Sequence, residues 1–559
     1  PVKRRSFMTL MGAAVALGTL QGCRRPVEKI LPYSRTPDDV AVNITSFYAT
    51  VAERRGEAVG LLVESHEGRP TKVEGNPDHP ASRGRTDLLL QASVLDLYDP
   101  DRARQPSLRS DAGAHEAKSY AEFETALRAA LEAHGADQGA GLRVLAQPSV
   151  SPTFQRLRRA VIERFPQAKF HTWDAGSTSN AREGAKLAFG RAMNVIPHFE
   201  TARVIVSVDC DFLQTEPGMV RNNLGFARSR RVGEAADTMS RLYAVESNLT
   251  TTGSNADHRL RLAHREIEPW LMALAGRLVT AHNIDLGEVS AAVRNAQAPT
   301  GVDAKWVNVV AADLARHPGA SLVLAGSRMS PTAHALVHAI NQGLGNAGQT
   351  VAYASVADEG EADNHAADLT ALADALGNNA VRTLIVLGGN PVYDAPANLG
   401  LGDKVARVPF SVHVSSHHDE TCEKIRWHVP RAHYLESWGD AQSLDGSVAI
   451  QQPLIQALFS ARSDIEILGL VANVPLARGY DLVRETARGG SAQLGTFERE
   501  WRRALNLGAL RPAPAPTVPP LRGADIAGRL AQRQGSTTPL GRANLEVVFA
   551  VDPKMYDGR

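Results

Sequence analysis

The sequence predicts an α/β protein with two parallel sheets, preceded by a small β-rich module. Three observations lead to this fold class. Residues 41–108 carry short alternating stretches between Gly, Pro and Asn residues, a pattern typical of β structure. From about residue 110, continuous apolar segments of strand length alternate with helical segments, as in sheets covered on both faces. This pattern fills most of the 559 residues, which is more than one sheet usually holds.

The individual elements follow in order along the chain. In the β-rich module, strands are predicted at residues 58–64 and 71–74. Six segments that are apolar along their whole length are predicted to be buried strands: 142–146, 203–208, 242–246, 321–325, 351–354 and 382–387. Helices are predicted between them at 154–165, 181–189, 269–279, 333–342 and 369–376. A last strand is predicted at 543–551.

The expected domain organisation has seven parts. They are a signal or anchor segment (1–23), a polar lead-in (24–40), the β-rich N-terminal module (41–108), a first α/β domain (109–300), a second α/β domain (301–510), a proline-rich linker (511–522) and the start of a further domain (523–559). The linker contains the run PAPAPTVPP, which favours a stiff, extended polyproline conformation.

Charge and cysteine content exclude several classes of function. Lys and Arg number 61 and Asp and Glu number 60, so no global basic field exists to hold nucleic acid. The three cysteines, Cys23, Cys210 and Cys422, are far apart. This chain alone can therefore form neither an all-cysteine iron–sulfur cluster nor a disulfide framework. Cys210 lies between Asp209 and Asp211, whose charges disfavour its thiolate, and it is predicted to be unreactive.

The N-terminus has the features of an export signal. Arg4 and Arg5 precede an apolar run at residues 8–20, which has the length of a signal segment and is too short for a transmembrane helix. The sequence LQGC at residues 20–23 resembles a lipobox, in which Cys23 would carry a lipid. We expect twin-arginine export. Two outcomes remain open: cleavage with lipidation of Cys23, or retention of the segment against a membrane-adjacent partner, which is the favoured one.

Several ordered motifs carry a family resemblance. They are GRPTKVEGNPDHP (68–80), QASVL (91–95), YDPDR (98–102), the segment 179–190, the strand end at 208–209, the pairs 246–247 and 252–253, and VLGGNP (386–391). In this order they resemble the molybdopterin-guanine-dinucleotide oxidoreductases over about residues 40–460. The resemblance implies a molybdopterin-oxidoreductase-like fold, with the turn Gly388-Gly389-Asn390 on the dinucleotide side of the cofactor pocket.

The sequence also departs from that family. Where the family carries a cluster cysteine and a relay lysine, this chain has Asp87 and Leu89. The family's metal-ligand loop corresponds to residues 171–177, in which Asp174 and Ser177 are the candidates for a molybdenum ligand. Without a cluster, electrons would have no path out of this pocket. We therefore predict a vestigial pocket, and no catalytic residue, cofactor or metal in this chain.

One subgroup of the family shows the same losses. Residues 178–190, 387–396 (LGGNPVYDAP), 433–440 (HYLESWGD) and 548–559 (VFAVDPKMYDGR) resemble the large exported iron–sulfur subunit of alternative complex III, a bacterial membrane complex that oxidises quinol. In that subunit the first half keeps the molybdoenzyme fold without molybdenum or a cluster, and the second half holds the iron–sulfur clusters.

The resemblance implies a structural subunit of a respiratory electron-transfer complex, on the periplasmic side of the bacterial inner membrane. Its expected partners are an iron–sulfur domain or chain, a multihaem cytochrome c that carries haem c, and integral membrane quinol-binding subunits. The alternative is a catalytic molybdenum oxidoreductase of the polysulfide- or thiosulfate-reductase type, with Asp174 or Ser177 on the metal.

A histidine-rich stretch also suggests a metal site. Its polar residues are His413, His417, His418, Asp419, Glu420, Cys422, His428 and His433. Their spacing disfavours zinc or copper, because two histidines are adjacent and the only cysteine is a lone soft ligand. We therefore predict no metal, a helix cap at 419–421, and histidines that form hydrogen bonds or an interface. Trp427 and residues 433–440 are expected to lie against a partner or neighbouring domain.

Overall fold

In the computed structural model, residues 44–54, 56–234, 237–357, 364–475, 478–489, 494–533 and 541–555 are described. The expected signal or anchor segment at 1–23, with Cys23, and the lead-in at 24–40 lie outside the described residues. All of the described helices and strands belong to one unit, Thr45–Arg559. None of the helices in these ranges is both long and apolar enough to cross a membrane.

The strands are β1 (Thr45–Arg54), β2 (Glu57–His66), β3 (Arg69–Gly75), β4 (Ser107–Arg109), β5 (His115–Ala117), β6 (Leu142–Ala146), β7 (Lys169–Thr172), β8 (Met193–Pro197), β9 (Val204–Val208), β10 (Arg241–Glu246), β11 (His258–Arg261), β12 (Ser321–Ala325), β13 (Val351–Ser355), β14 (Thr383–Leu387), β15 (Phe410–Ser415), β16 (Trp427–Pro430), β17 (Gly439–Gln442) and β18 (Val448–Gln451).

The α-helices are α1 (Leu88–Leu97), α2 (Tyr120–Glu132), α3 (Pro152–Arg164), α4 (Ser179–Phe189), α5 (Met219–Ser229), α6 (Thr251–Ser254), α7 (His264–His282), α8 (Val289–Val293), α9 (Ala304–Ala315), α10 (Pro331–Gly343), α11 (His365–Gly377), α12 (Pro391–Asp394), α13 (Leu401–Val405), α14 (Asp464–Val471), α15 (Gly479–Arg488), α16 (Leu494–Leu507) and α17 (Gly523–Ala531). Short 3-10 turns lie at Phe199–Thr201, Ala397–Leu399 and Cys422–Lys424.

The N-terminal module is an antiparallel meander of β1, β2 and β3. Leu61 and Val63 on β2 are fully buried, because alternate side chains of a strand point to the same face. Behind the module lie two larger sheets. One has the strand order β11-β10-β9-β12, all parallel; the other has the order β5-β4-β16-β15-β14-β6-β7, parallel from β16 to β7. The predicted α/β fold with parallel sheets is confirmed.

The predicted elements correspond closely to the observed ones. All six segments predicted as buried strands are strands, and the five predicted helices coincide with α3, α4, α7, α10 and α11. Two of these helices begin with a Ser-Pro pair. The hydroxyls of Ser151 and Ser330 accept the backbone N–H of the third helical residue, while the proline occupies a position that needs no N–H donor.

The expected domain boundary at residue 300 does not follow the sheets. β12 lies after this boundary and β9 before it, yet they pair, with Val323 beside Val206. In the larger sheet, β14 pairs with β6, with Thr383 beside Leu142. The chain therefore passes between the two sheets more than once. Apolar segments do not reveal this order, because a strand that is buried on both faces can occupy any central position.

Two predicted strands have different surroundings from those expected. β13 is not in a parallel sheet but pairs antiparallel with β8 in a separate two-stranded sheet. Residues 543–551 form no strand, since no ladder of backbone hydrogen bonds supports them. Their side chains are not buried either: Leu545, Val547 and Phe549 are 79%, 74% and 87% exposed.

Candidate functional site

A cleft of about 2090 Å³ lies where the strands of both parallel sheets end. Residues that follow the strand ends line it: Gln147 after β6, Asp174 after β7, Asp209 after β9, Arg328 after β12 and Gly389 after β14. In α/β proteins ligands bind at this end of the strands, because loops and helix N-termini converge there. The cleft is therefore the candidate site, and strands β1 and β2 of the N-terminal module contribute to its wall.

The lining of the cleft is strongly acidic. Among the described residues it contains seventeen Asp and Glu side chains and six Arg and Lys side chains. Burial raises the pKa of three of these carboxyls, those of Glu53, Glu57 and Glu216, to about 7. Even with these three protonated, carboxylates outnumber cations by more than two to one. Such a lining attracts cations and repels phosphate groups.

Two of the protonatable carboxyls connect the N-terminal module to the larger sheets. Glu53 on β1 accepts the backbone N–H of Val150 at 2.7 Å, in the segment that follows β6. Glu57 on β2 accepts the backbone N–H of Gly218 at 2.9 Å, at the start of α5. Each carboxyl therefore joins a strand of the module to a loop at the end of a different parallel sheet. These hydrogen bonds stabilise the position of the N-terminal module in the wall of the cleft.

The turn at Gly388 and Gly389 is surrounded by side chains of the chain itself. Both residues have positive φ, 68° and 67°, a conformation that glycine adopts without strain. A Cβ atom added to Gly388 would lie 2.7 Å from Arg431 Nη1 and 2.8 Å from Gln147 Oε1. Arg431 is itself paired with Asp464. The space in front of the turn is therefore occupied by side chains of this protein.

Asn390, the next residue of this turn, forms hydrogen bonds with neighbouring residues through both ends of its amide. Its Oδ1 accepts the backbone N–H and the hydroxyl of Thr421, at 3.2 and 2.7 Å. Its Nδ2 donates to Glu420 Oε2 at 2.6 Å. These bonds join the segments that follow β14 and β15, and they hold the Glu420 carboxylate beside the glycine turn.

The candidate molybdenum ligands, Asp174 and Ser177, do line the cleft. Asp174 Oδ1 accepts the backbone N–H of Gly176 at 2.9 Å, so this carboxylate closes its own turn. Ser177 Oγ accepts the backbone N–H of Ser179 at 3.1 Å and contacts the Ser179 hydroxyl. Both side chains thus have a local structural role that explains their presence.

At the family's cluster position, Asp87 caps a helix. Its Oδ1 accepts the backbone N–H of Leu90 at 2.9 Å, which starts α1, and it also accepts a bond from Arg54 at 3.1 Å. Leu89, at the position of the relay lysine, contributes an apolar side chain to the cleft wall.

A cluster of charged side chains around the buried Asp209 was not predicted from the sequence. Asp209 has φ of 49° and a fully buried side chain, and it lies 2.8 Å from Arg328 and 3.2 Å from His264. Burial opposes ionisation, but the His264 and Arg328 contacts hold the pKa of Asp209 below its ordinary value. Beside it, burial and neighbouring carboxylates raise the pKa of the Cys210 thiol well above its ordinary value. An acidic residue at the end of a buried strand was the sequence signal for this cluster.

The histidine-rich stretch lies in β15, β16 and the turn between them. His413 Nδ1 lies 3.3 Å from Asp419 Oδ1, and His417 Nε2 lies 2.9 Å from Asp99 Oδ2. The expected helix cap is present in a smaller form, because Asp419 Oδ1 accepts the backbone N–H of Cys422 at the start of a 3-10 turn. His418 and His428 pack on each other, with ring centroids 4.3 Å apart. His433, which follows β16, accepts the backbone N–H of Leu435 at its Nδ1 atom, at 3.3 Å.

The expected contact surface at Trp427 and residues 433–440 lies inside the chain. Trp427 is only 6% exposed and packs on Phe123, with ring centroids 5.6 Å apart. Trp438 packs on Tyr480, with centroids 4.9 Å apart. These aromatic side chains therefore belong to the core of the seven-stranded sheet, and the segments contact neighbouring elements of the same protein.

Comparison with known proteins agrees with this architecture. No family model matches the chain. Among curated proteins, the chain is similar to the menaquinone reductase, molybdopterin-binding-like subunit, of Nitratidesulfovibrio vulgaris. The two are 28% identical over 475 residues, which cover 78% of this chain and 66% of that protein, slightly less than two thirds of its length.

Among solved structures, the chain is similar to acetylene hydratase from Pelobacter acetylenicus. The TM-score is 0.62 at 13% sequence identity, over 76% of this chain and 69% of that structure, so the likeness concerns the fold. The chain therefore has a fold like that of acetylene hydratase, and its sequence is similar to that of a molybdopterin-binding-like subunit.

Proposed function

We propose that this chain is a cofactor-less, structural subunit of a membrane-associated respiratory complex that oxidises quinol, of the alternative complex III kind. The name of the curated relative supports this role, because that protein is a subunit of a menaquinone reductase and is described as molybdopterin-binding-like. A fold can outlast the chemistry for which it first served, since its packed sheets and surfaces remain useful in assembly.

The observation that carries the proposal is the poor fit of the cleft to a pterin dinucleotide. That group carries phosphates, which proteins bind with cations and with free backbone N–H groups. Here seventeen acidic side chains face six basic ones, and Gln147 and Arg431 fill the space in front of the glycine turn. Asn390 holds Glu420 at the same place. The residues present do not suit the cofactor of the family, so no reaction step is assigned to it.

The partners and the location are part of the same proposal. The chain would bind an iron–sulfur domain or chain, a multihaem cytochrome c and integral membrane quinol-binding subunits, on the periplasmic side of the inner membrane. Clusters and haem in those partners would carry the electrons. The sequence support is the twin arginine at Arg4 and Arg5 and the motif resemblance of residues 387–396 and 433–440.

The test is metal and pterin analysis of the complex purified from its native membranes. We expect no stoichiometric molybdenum and no pterin. The iron and haem contents should correspond to the amounts of the partner subunits in the complex. Substitutions Asp174→Ala and Ser177→Ala should leave quinol oxidation by the complex unchanged, because neither side chain would hold a metal. One molybdenum per chain, lost in either variant, would overturn the proposal in favour of a molybdenum oxidoreductase.

A further inference from the structure

Two histidines and a cysteine converge at the edge of the seven-stranded sheet, on the rim of the cleft. Cys422 Sγ lies 3.1 Å from His418 Nδ1 and 3.8 Å from His115 Nε2. All three potential ligand atoms lie within 4.8 Å of one another. In a tetrahedral zinc site, with Zn–S of about 2.3 Å and Zn–N of about 2.0 Å, sulfur and nitrogen ligands are about 3.5 Å apart. The two observed separations lie on either side of that value.

Hydrogen bonds hold these atoms toward a common point. Ser107 Oγ lies 3.1 Å from His115 Nδ1, which leaves the Nε2 atom of that ring directed at the sulfur. A metal-bound histidine is generally held by such a bond at its other ring nitrogen. Asp419 accepts the backbone N–H of Cys422 at 2.9 Å and so fixes the turn that carries the thiol. His418 is exposed, so an ion can enter from solvent, and a fourth position remains for water or another ligand.

Two carboxylates adjoin the cysteine of this cluster. Asp419 accepts the backbone N–H of Cys422, and Glu423 follows Cys422 in the chain. A divalent cation would balance the negative charge of these carboxylates and of a Cys422 thiolate.

We propose that His115, His418 and Cys422 bind a thiophilic divalent cation, zinc in the first place, which fastens the β4–β5 hairpin to the turn between β15 and β16. One thiolate and two imidazoles are donors for zinc or copper, and not for magnesium or calcium. The sequence interpretation favoured no metal, because the ligands within residues 413–433 are poorly spaced. The ligand that changes this is His115, which lies 307 positions from Cys422 along the chain.

The site is tested by titrating the full chain, treated with a chelator and a reductant, with zinc in competition with a chromophoric indicator. We expect one tight site in the unsubstituted protein, and affinity at least tenfold weaker in His115→Ala and in Cys422→Ser. Ser107→Ala should weaken binding by about tenfold, since it removes only the bond that orients His115. Cobalt in place of zinc should give a thiolate-to-metal absorption band that Cys422→Ser abolishes.

Two control variants test whether the loss of zinc binding is specific to the three proposed ligands. His417→Ala changes the neighbouring histidine, which contacts Asp99, and Cys210→Ala changes the other buried cysteine; both should bind zinc as the unsubstituted protein does. Circular dichroism checks that each variant is folded, and His115 is only half-buried on an edge strand, so its loss leaves the core intact. The proposal would be overturned if His115→Ala and Cys422→Ser bound zinc as tightly as the unsubstituted protein does. The absence of a cobalt–thiolate band would overturn it as well. A blue chromophore with copper and weak zinc binding would refute the choice of zinc.

Discussion

The cleft and the His115–His418–Cys422 cluster lie close together at the strand ends of one sheet, yet their polar groups are arranged in opposite ways. In the cleft, the groups that a cofactor would meet are bonded to the protein itself, as Asn390 is to Thr421 and Glu420. In the cluster, three potential ligand atoms from distant parts of the chain lie within 4.8 Å of one another. The first arrangement stabilises a fold, whereas the second is suited to receive an ion.

A backbone feature can therefore persist at a site although the side chains around it no longer leave room for a ligand. A turn such as Gly388-Gly389 is recognisable in the sequence because its backbone must keep positive φ. Its neighbours, Gln147 and Arg431, decide whether anything can bind there. The comparison predicts that substitutions in the cleft change the stability of the fold, and that substitutions in the cluster reduce metal affinity.

The largest expected effect concerns Arg102, which lines the cleft. Its guanidinium pairs with both carboxylate oxygens of Glu436, at 3.2 and 2.6 Å, and the two side chains are 3% and 0% exposed. Arg102→Met should lower the free energy of unfolding by about 3–5 kcal/mol, because it leaves a carboxylate buried without its partner. Chemical unfolding followed by circular dichroism measures this loss.

The double variant Arg102→Met/Glu436→Gln is the matched control for this prediction. The second substitution removes the charge. The single amide oxygen of glutamine can accept only one of the two backbone N–H bonds, because His433 and Leu458 donate to different oxygens of Glu436. We expect the double variant to recover part of the lost stability. If Arg102→Met were as stable as the unsubstituted protein, the Arg102–Glu436 pair would not stabilise the fold. The interpretation of the cleft as a structural region would then be wrong.

A smaller effect is expected from the carboxyl of Glu57. Burial raises its pKa from 4.5 to about 7, so the folded protein holds this proton more tightly than the unfolded chain does. The associated stability is therefore complete below pH 4.5 and is lost as the pH rises through about 7. Glu57→Gln removes this ionisation, and the variant should be more stable than the parent at pH 8 by about 1–3 kcal/mol.

Thermal unfolding from pH 5 to pH 8 measures the change. The slope of stability against pH should become smaller without vanishing, because Glu53 and Glu216 still titrate in the same range. Glu500→Gln, on the exposed side of α16, should leave the slope as it is. A variant whose slope equals that of the parent would mean that Glu57 is ionised in the folded protein.

The sequence predicted the elements well and their assembly less well, for physical reasons. Segments such as 142–146 were found because burial on both faces demands unbroken apolar character. β15 was not predicted, since Ser411, His413 and Ser415 interrupt its apolar pattern although all three are buried and hydrogen-bonded. Spacing within a segment says nothing about partners that are distant in the chain.

The candidate site shows the same limit. The turn at Gly388, the substitution at Asp87 and the loop with Asp174 could all be located by motif. The side chains that fill the turn depend on how β14 lies between β6 and β15, and on how β15 pairs with β16. The position of His115 beside Cys422 depends on how β5 pairs with β4 and β4 with β16. Those contacts follow from sheet order, which local periodicity does not encode.

The smallest effect is expected in the cluster when no metal is present. His418 is exposed, so His418→Ala should change the free energy of unfolding by no more than about 0.5 kcal/mol in the presence of a chelator. Zinc at a hundredfold excess over its dissociation constant should then stabilise the unsubstituted protein by about 2.7 kcal/mol, because binding favours the folded state, and it should stabilise the variant far less. Thermal unfolding with and without zinc measures both quantities, and His417→Ala should keep the full gain. A marked loss of stability in His418→Ala without metal would mean that the ring acts through its packing on His428, and the contrast with the cleft would then disappear.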